Sequence, residues 1–189
     1  MTQPTFSSPE TLREEWLLEP LKLPGPLQMA LDIMLLEKSI QAKKPLPLIR
    51  FYSWEGIWLS VGYHQKEFPE RWKSLAKEHK IKIVRRPSGG GGVLHQGGLT
   101  YALVWPSPPR NRGEAYLKAC EWLIKGFSEA GLKLHFGRKS PAQVRENCFS
   151  TSSAADLIDE FGQKRIGSSQ YWRFGQLLQH GEILLDPPK

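Results

Sequence analysis

The chain has 189 residues, 40% of them hydrophobic, and a formal net charge of +7, which is enough for one domain with a single core. No apolar run nears the roughly 20 residues of a membrane span, and the first residues, MTQPTFSSPE, lack the basic and apolar regions of a secretory signal. Two cysteines, Cys120 and Cys148, do not make a disulfide framework, so the expectation is a cytoplasmic protein with free thiols. The aromatics are scattered where a core would want them, so the basic charge suits acidic protein partners or anionic substrates better than nucleic acid.

Residues 1–9 are expected to be disordered and residues 10–189 to form one domain. Leu12 to Leu18 forms a short amphipathic piece, closed by the breakers Pro20, Pro24, Gly25 and Pro26. A helix from Leu27 to Ala42 follows, with Met29, Ile33, Leu36 and Ile40 at helical spacing, and Pro45 and Pro47 end it. Leu48–Trp54 and Ile57–Gly62 are predicted strands, joined as a hairpin by Glu55-Gly56. Pro69 to Lys80 is a charged, solvated helix. Ile81–Arg86 and Leu99–Trp105 are strands on either side of a glycine run, and Pro106-Ser107-Pro108-Pro109 is a rigid turn. A helix from Gly113 to Ala130 sets Tyr116, Cys120, Leu123 and Phe127 on one face and stops at Gly131. Residues 148–153 are loop, and Ala155–Phe161, Lys164–Trp172 and Leu177–Leu185 are strands. Strands outnumber helices, so the fold class is α/β (α+β): a mixed, largely antiparallel sheet flanked by helices.

The most informative stretch is RRPSGGGGVLHQGGLTYAL, Arg85 to Leu103. Each glycine in ordered structure costs about 0.5–1 kcal/mol relative to alanine. A run of four between β-like segments therefore marks a close backbone approach rather than a tether, and the adjacent arginines point to a phosphate or carboxylate. Two known glycine motifs are excluded. No Gly-Lys-Ser/Thr is present, and the spacing Gly89-x-Gly91-x-x-Leu94 lacks the third glycine of a dinucleotide turn.

These residues resemble the biotin/lipoate A/B protein ligase family. Its pattern RR-x-[ST]-GGG-[AG]-V-x-H is met by Arg85, Arg86, Ser88, Gly89, Gly90, Gly91, Gly92, Val93 and His95. A second pattern, G-x-K-x-x-G-S-[AS]-Q, is met by Gly162, Lys164, Gly167, Ser168, Ser169 and Gln170. A third, L-x-H-G-x-[IL]-x-x-D, is met by Leu178, His180, Gly181, Ile183 and Asp186. Weaker echoes at Pro24-Gly25, Met29 to Asp32, Arg50-Phe51-Tyr52-x-Trp54 and Ser60-x-Gly62 extend the likeness along the chain. The resemblance implies a biotin/lipoate protein ligase-like catalytic domain over residues 10–189, with the usual C-terminal segment absent from this sequence. The biotin branch lacks support, because no G-R-G-R-x-x-x-x-x-W element is present.

Within the family, Cys148 points to the octanoyltransferase branch. There a Cys-Phe pair, here Cys148-Phe149, precedes the lysine motif, and the cysteine carries the acyl group. Taken alone, Cys148 reads either as an inert cysteine or as a nucleophile in a polar loop where Lys164, Arg86 and Arg145 could lower its pKa. Cys120, on an apolar helix face, reads as core. The resemblance makes Lys164 the group that neutralises negative charge on the acyl carbonyl. It also makes Arg85, Arg86, Ser88, Gly89 to Gly92, His95, Gly167, Ser168 and His180 substrate-binding. Either histidine reads equally well as a buried structural residue. Trp54, Val93, Leu94 and Tyr101 are expected to wall an eight-carbon chain or to be plain core. No metal site is expected.

The implied reaction moves octanoyl from acyl carrier protein to Cys148, and then to a lysine of a lipoyl domain. That acceptor would be glycine cleavage H protein or a 2-oxo acid dehydrogenase acyltransferase subunit. No cofactor is called for. The alternatives are an ATP-dependent lipoate–protein ligase, against which Cys148 counts, and a non-catalytic family member that binds lipoyl domains.

Overall fold

The computed structural model describes residues 17–137 and 156–185. The expectations for residues 1–16, for Arg145, for the loop bearing Cys148 and for Asp186 lie outside these residues.

In chain order the strands are β1 (Leu17–Leu23), β2 (Leu48–Trp54), β3 (Trp58–Val61), β4 (Lys82–Arg85), β5 (Val93–His95), β6 (Leu99–Trp105), β7 (His135–Phe136), β8 (Leu157–Ile158), β9 (Lys164–Arg173) and β10 (Gln176–Ile183). The helices are α1 (Gly25–Gln41), α2 (Glu70–Lys77) and α3 (Arg112–Glu129). Seven strands form one sheet in the order β1-β2-β6-β10-β9-β8-β7, and β4-β3-β5 form a second. In the large sheet only β1 and β2 run parallel. The expected mixed, largely antiparallel sheet with flanking helices is what the chain builds.

The large sheet is covered on both faces. On one side Met29 and Leu36 of α1 pack with Tyr52, Trp54, Ala102, Val104 and Leu178. On the other, Ala119, Cys120 and Leu123 of α3 pack with Tyr101, Leu103, Ile166 and Ile183. Alternation along β6, β9 and β10 sends successive side chains to opposite faces. His180 and Glu182 thereby share the α1 face, while Leu177, Gln179 and Ile183 take the other. The small sheet has its own core of Leu59, Val61 and Ile81, with Trp72 and Leu75 of α2 packed on it.

Three expectations need correction. The predicted β2–β3 hairpin does not form. Both edges of β2 are taken by β1 and β6, so the turn at Gly56 (φ +89°) carries the chain into the second sheet, where β3 pairs with β4 and β5. All four β3 residues are buried, as suits a central strand. Pro20 does not break the structure but lies within β1. It sits at the sheet edge, where a missing N–H is tolerated, and the register shifts between Leu18 and Leu21 around it. The predicted strand 155–161 is reduced to Leu157–Ile158. The Asp159 carboxylate accepts from the N–H groups of Phe161 and Gln163 at 3.0 and 2.9 Å, closing a turn that ends the strand.

The helices follow their local chemistry. α1 carries Pro26 in its first turn, where no N–H is needed. Asn111 caps α3 by accepting from the Glu114 N–H at 3.0 Å. Cys120 is fully buried on the inner face of α3, and burial pushes its thiol up to about 12. At pH 7 roughly one such thiol in 10⁵ is ionised. Cys120 should therefore resist iodoacetamide in the folded protein and react only in denaturant, as read by peptide mass spectrometry.

The β9–β10 hairpin turns on Phe174 (φ +47°) and Gly175 (φ +77°), with Arg173 opposite Gln176. Two central residues at positive φ make a type I′ turn, which favours Asn-Gly. A left-handed conformation costs a non-glycine residue about 1–2 kcal/mol. The Arg173 guanidinium lies 5.5 Å from the Phe174 ring centre, and an exposed contact of that kind offsets only about 0.5 kcal/mol. Phe174→Asn should thus raise stability by about 0.5 kcal/mol in urea titration.

Candidate functional site

β4 ends at Arg85, and its carboxyl end delivers Arg86 to the glycine loop. Arg86 is buried; it donates to the Ser60 carbonyl at 3.0 Å and to the Gly89 and Gly91 carbonyls at 2.6 and 2.8 Å. Arg85 donates to the carbonyls of Gly62, Tyr63 and Gln65 at 2.7, 3.1 and 2.8 Å. The pair thus folds two loops against each other. Gly90 adopts φ +92°, and its carbonyl lies where a Cβ on Gly62 would sit. The glycine run does mark a close approach, and here the approaching group is backbone of the same chain.

Arg86 and Val93, on either side of the glycine run, border a small half-open cavity of about 30 Å³. Met29, Tyr52, Trp54 and Val93 form its apolar side, and Ser60, Arg86, His95, Ser169, His180 and Glu182 its polar side. The bare backbone of Gly167 and Gly181 completes the wall.

Two carboxylate–imidazole–hydroxyl chains meet there. In the first, Asp32 of α1 accepts from His180 Nδ1 at 2.9 Å, and His180 Nε2 lies 2.5 Å from Ser88 Oγ. Ser88 Oγ is in turn 2.7 Å from Ser169 Oγ. Asp32 is itself held by Arg50, at 2.9 Å from Nε and 2.8 Å from Nη2, and by the Tyr52 hydroxyl at 3.0 Å. Burial, and then Asp32, keep the Tyr52 phenol well above its ordinary pKa, so it is a donor to the carboxylate. In the second chain, Glu182 accepts from His95 Nδ1 at 2.8 Å and from the Thr100 hydroxyl, and His95 Nε2 accepts from Ser60 Oγ at 2.8 Å. Trp54 stacks on the His95 ring at 3.9 Å and donates its indole N–H to Thr100 at 2.7 Å. Both histidines therefore carry the proton on Nδ1 and present Nε2 as acceptor.

Lys164 opens β9 and pairs with Asp156 at 3.0 Å, both side chains being nearly buried. A Cβ on Gly167 would lie 2.8 Å from its Cε and 3.0 Å from its Nζ, so the glycine leaves room for the amine against bare main chain. Ser168 faces away from the cavity: its Oγ lies 2.7 Å from the Tyr101 hydroxyl and its carbonyl accepts from Tyr116. The parity of β9 gives the cavity Ser169 instead, and Tyr101 is fully buried in the α3-side core. Leu94 is 41% exposed and lines nothing here.

Of the residues expected to bind substrate, Arg86, His95, Gly167 and His180 border the cavity, with Ser88 just behind it. Arg85 and Gly89 to Gly92 lie outside it, because the arginine and the glycine carbonyls are engaged in holding the loop together. Cys148 falls outside the described residues. Sequence reasoning gave no site role to Asp32, Arg50, Tyr52, Ser60 and Ser169, although they fall in the family-like stretches, and did not single out Glu182. One signal was readable: Asp32 interrupts the apolar stripe of α1 between Met29 and Leu36, and Arg50 alternates with Tyr52 on the inward face of β2.

Burial lowers the His95 pKa from its ordinary value, with the Glu182 hydrogen bond opposing. The unfolded chain binds a proton at this position below pH about 6.5, while folded His95 stays neutral. Its contribution is therefore complete above that pH and is lost as pH falls toward the folded value. His95→Gln should flatten the acid limb of stability below pH 6.5 by up to ~1.4 kcal/mol per pH unit, measured by urea midpoints.

The family model for the lipoyl protein ligase A/B catalytic domain matches residues 24–188. An octanoyltransferase LipM of Geobacillus kaustophilus is 38% identical over 175 residues, covering 86% of this chain and 62% of that protein. An octanoyltransferase LipM of Bacillus subtilis is 38% identical over 170 residues, covering 84% and 60%. This chain thus spans about 60% of the length of these curated relatives. Among solved structures, a lipoate protein ligase of T. acidophilum with bound lipoic acid superposes with a TM-score of 0.71 at 22% identity, covering 92% of this chain and 69% of that one. A lipoate-protein ligase A bound with ATP gives a TM-score of 0.71 at 23% identity, covering 92% and 67%. With its three motifs gathered around one cavity and the family match running through nearly all of it, the chain belongs to the lipoyl protein ligase A/B catalytic domain family.

Proposed function

We propose that this chain performs octanoyl transfer to a lysine of a lipoyl domain, with the acyl group carried as a thioester on Cys148. The observation that carries the reading is likeness to octanoyltransferases at 38% identity, joined to a cavity apolar on one side and bordered by Gly167, on which the Lys164 amine lies. In the first step the Cys148 thiolate attacks the carbonyl of octanoyl-acyl carrier protein, and the carrier's thiolate leaves. In the second the lysine ε-amine attacks the new thioester, the C–S bond breaks and an amide remains. A thioester is already activated, so neither step calls for a nucleotide. The Lys164 ammonium neutralises the tetrahedral oxyanion in both, the kind of contact whose removal costs about 10²–10³-fold in rate.

A chain with a net charge of +7 suits acidic donors and acceptors. Acyl carrier protein as donor and lipoyl domains as acceptors, such as glycine cleavage H protein or a 2-oxo acid dehydrogenase acyltransferase subunit, meet that description.

Incubation with octanoyl-acyl carrier protein, without ATP, should give a hydroxylamine-labile adduct that Cys148→Ala abolishes, read by intact mass. A lipoyl domain added to the adduct should gain the octanoyl amide. Modification only with free lipoate and ATP, retained by Cys148→Ala, would replace this reading with an ATP-dependent ligase.

A further inference from the structure

The two imidazole chains are alike in geometry and differ at their outer ends. The His95 chain stops at Ser60, whose oxygen also takes the Arg86 guanidinium at 3.3 Å. Ser60 borders the cavity too, but its oxygen already faces the Arg86 cation, which disfavours a second proton there and cannot itself pass one on. The His180 chain continues through two neutral hydroxyls, Ser88 and Ser169, and Ser169 lines the cavity. A hydroxyl both donates and accepts, so each link can take a proton from one side and release one to the other. At the inner end Asp32 fixes the Nδ1–H tautomer and stands ready to stabilise an imidazolium.

Resting on the acyl-transfer reading above, we propose that Ser169, Ser88 and His180, oriented by Asp32, form a proton relay serving the aminolysis half of the reaction. The chemistry of the two halves explains why only one calls for it. Thiolate attack on a thioester consumes one thiolate and releases another, with no proton to remove. Amine attack forms a C–N bond and leaves a positively charged nitrogen that must lose a proton before the C–S bond can break productively. That proton passes to Ser169 Oγ as its own moves to Ser88, and the Ser88 proton moves to His180 Nε2. The products are the amide, the Cys148 thiolate and an imidazolium held by Asp32; the imidazolium then passes its proton to water, and the thiolate stands ready for the next loading step. Ser169 and His180 face the substrate, whereas Asp32 is a positioning residue. Among the described residues, the charged and titratable groups around His180 are Asp32 from α1, Arg50 and Tyr52 from β2, Arg86 from the glycine loop, His95 from β5 and Glu182 from its own strand.

The test measures adduct formation from octanoyl-acyl carrier protein and octanoyl release to a lipoyl domain as separate single-turnover rates. Ser169→Ala, Ser88→Ala and His180→Gln are compared with wild type after a melting check. Ser88→Ala and Ser169→Ala remove only a hydroxyl and leave every buried charge paired, so they stand even if the histidine variant folds poorly. The expected result is a ratio of release to loading lowered about 100-fold, within the range for general acid–base catalysis. The acid limb of the release–pH profile should vanish in His180→Gln, and imidazole should restore release in His180→Gly. Release and loading falling together, with the wild-type pH profile, would reduce these residues to pocket structure and overturn the relay. Release at the wild-type rate would overturn it as well. Absence of any adduct in the wild type would instead overturn the transferase reading itself, and the relay with it.

Discussion

Asp32 is the point on which this site depends. Its buried carboxylate binds the Arg50 guanidinium, the Tyr52 hydroxyl and His180 Nδ1, so one side chain ties α1 to β2 and β10. Gln28, one helical turn earlier, takes two further Arg50 donors on its side-chain and main-chain oxygens, each at 2.9 Å. Removing two charges from water costs several kcal/mol per ion, and apolar packing of similar volume would often serve stability as well or better. The arrangement makes sense as orientation: a fixed carboxylate sets the tautomer of His180, and that tautomer decides that Ser88 is its donor. The ion pair is thus tied to function more than to the strength of the core.

The arginines of the glycine motif illustrate a similar division of labour. Guanidinium donors are spent on carbonyls of Ser60, Gly62, Gly89 and Gly91, so the loop is held from within by charge-assisted hydrogen bonds. Backbone that approaches backbone this closely admits no side chain, as Gly62 beneath the Gly90 carbonyl shows. Gly167 plays the same part for Lys164. Close approach, more than flexibility, is what these glycines supply.

Local patterns carried a good part of the architecture. The apolar spacing of α1 and α3 and the stop at Gly131 are properties of contiguous residues, and the helices form where they point. The motif residues Arg86, His95, Gly167 and His180 were legible for the same reason, since their spacing is written in the chain. Asp32 could have been read as a charge on an apolar stripe, yet nothing local to it names Arg50 or His180 as its partners.

Sequence by itself determined the three helices and most of the longer strands, that the glycines at residues 89–92 mark a close backbone approach, and which family the motifs resemble. Only the tertiary structure decided that β3 leaves its neighbour for a second sheet, that Ser169 rather than Ser168 meets the cavity, and that each imidazole takes its particular carboxylate. Those outcomes depend on which strand edges remain unpaired and on contacts between residues as far apart as Asp32 and His180, which no local spacing encodes.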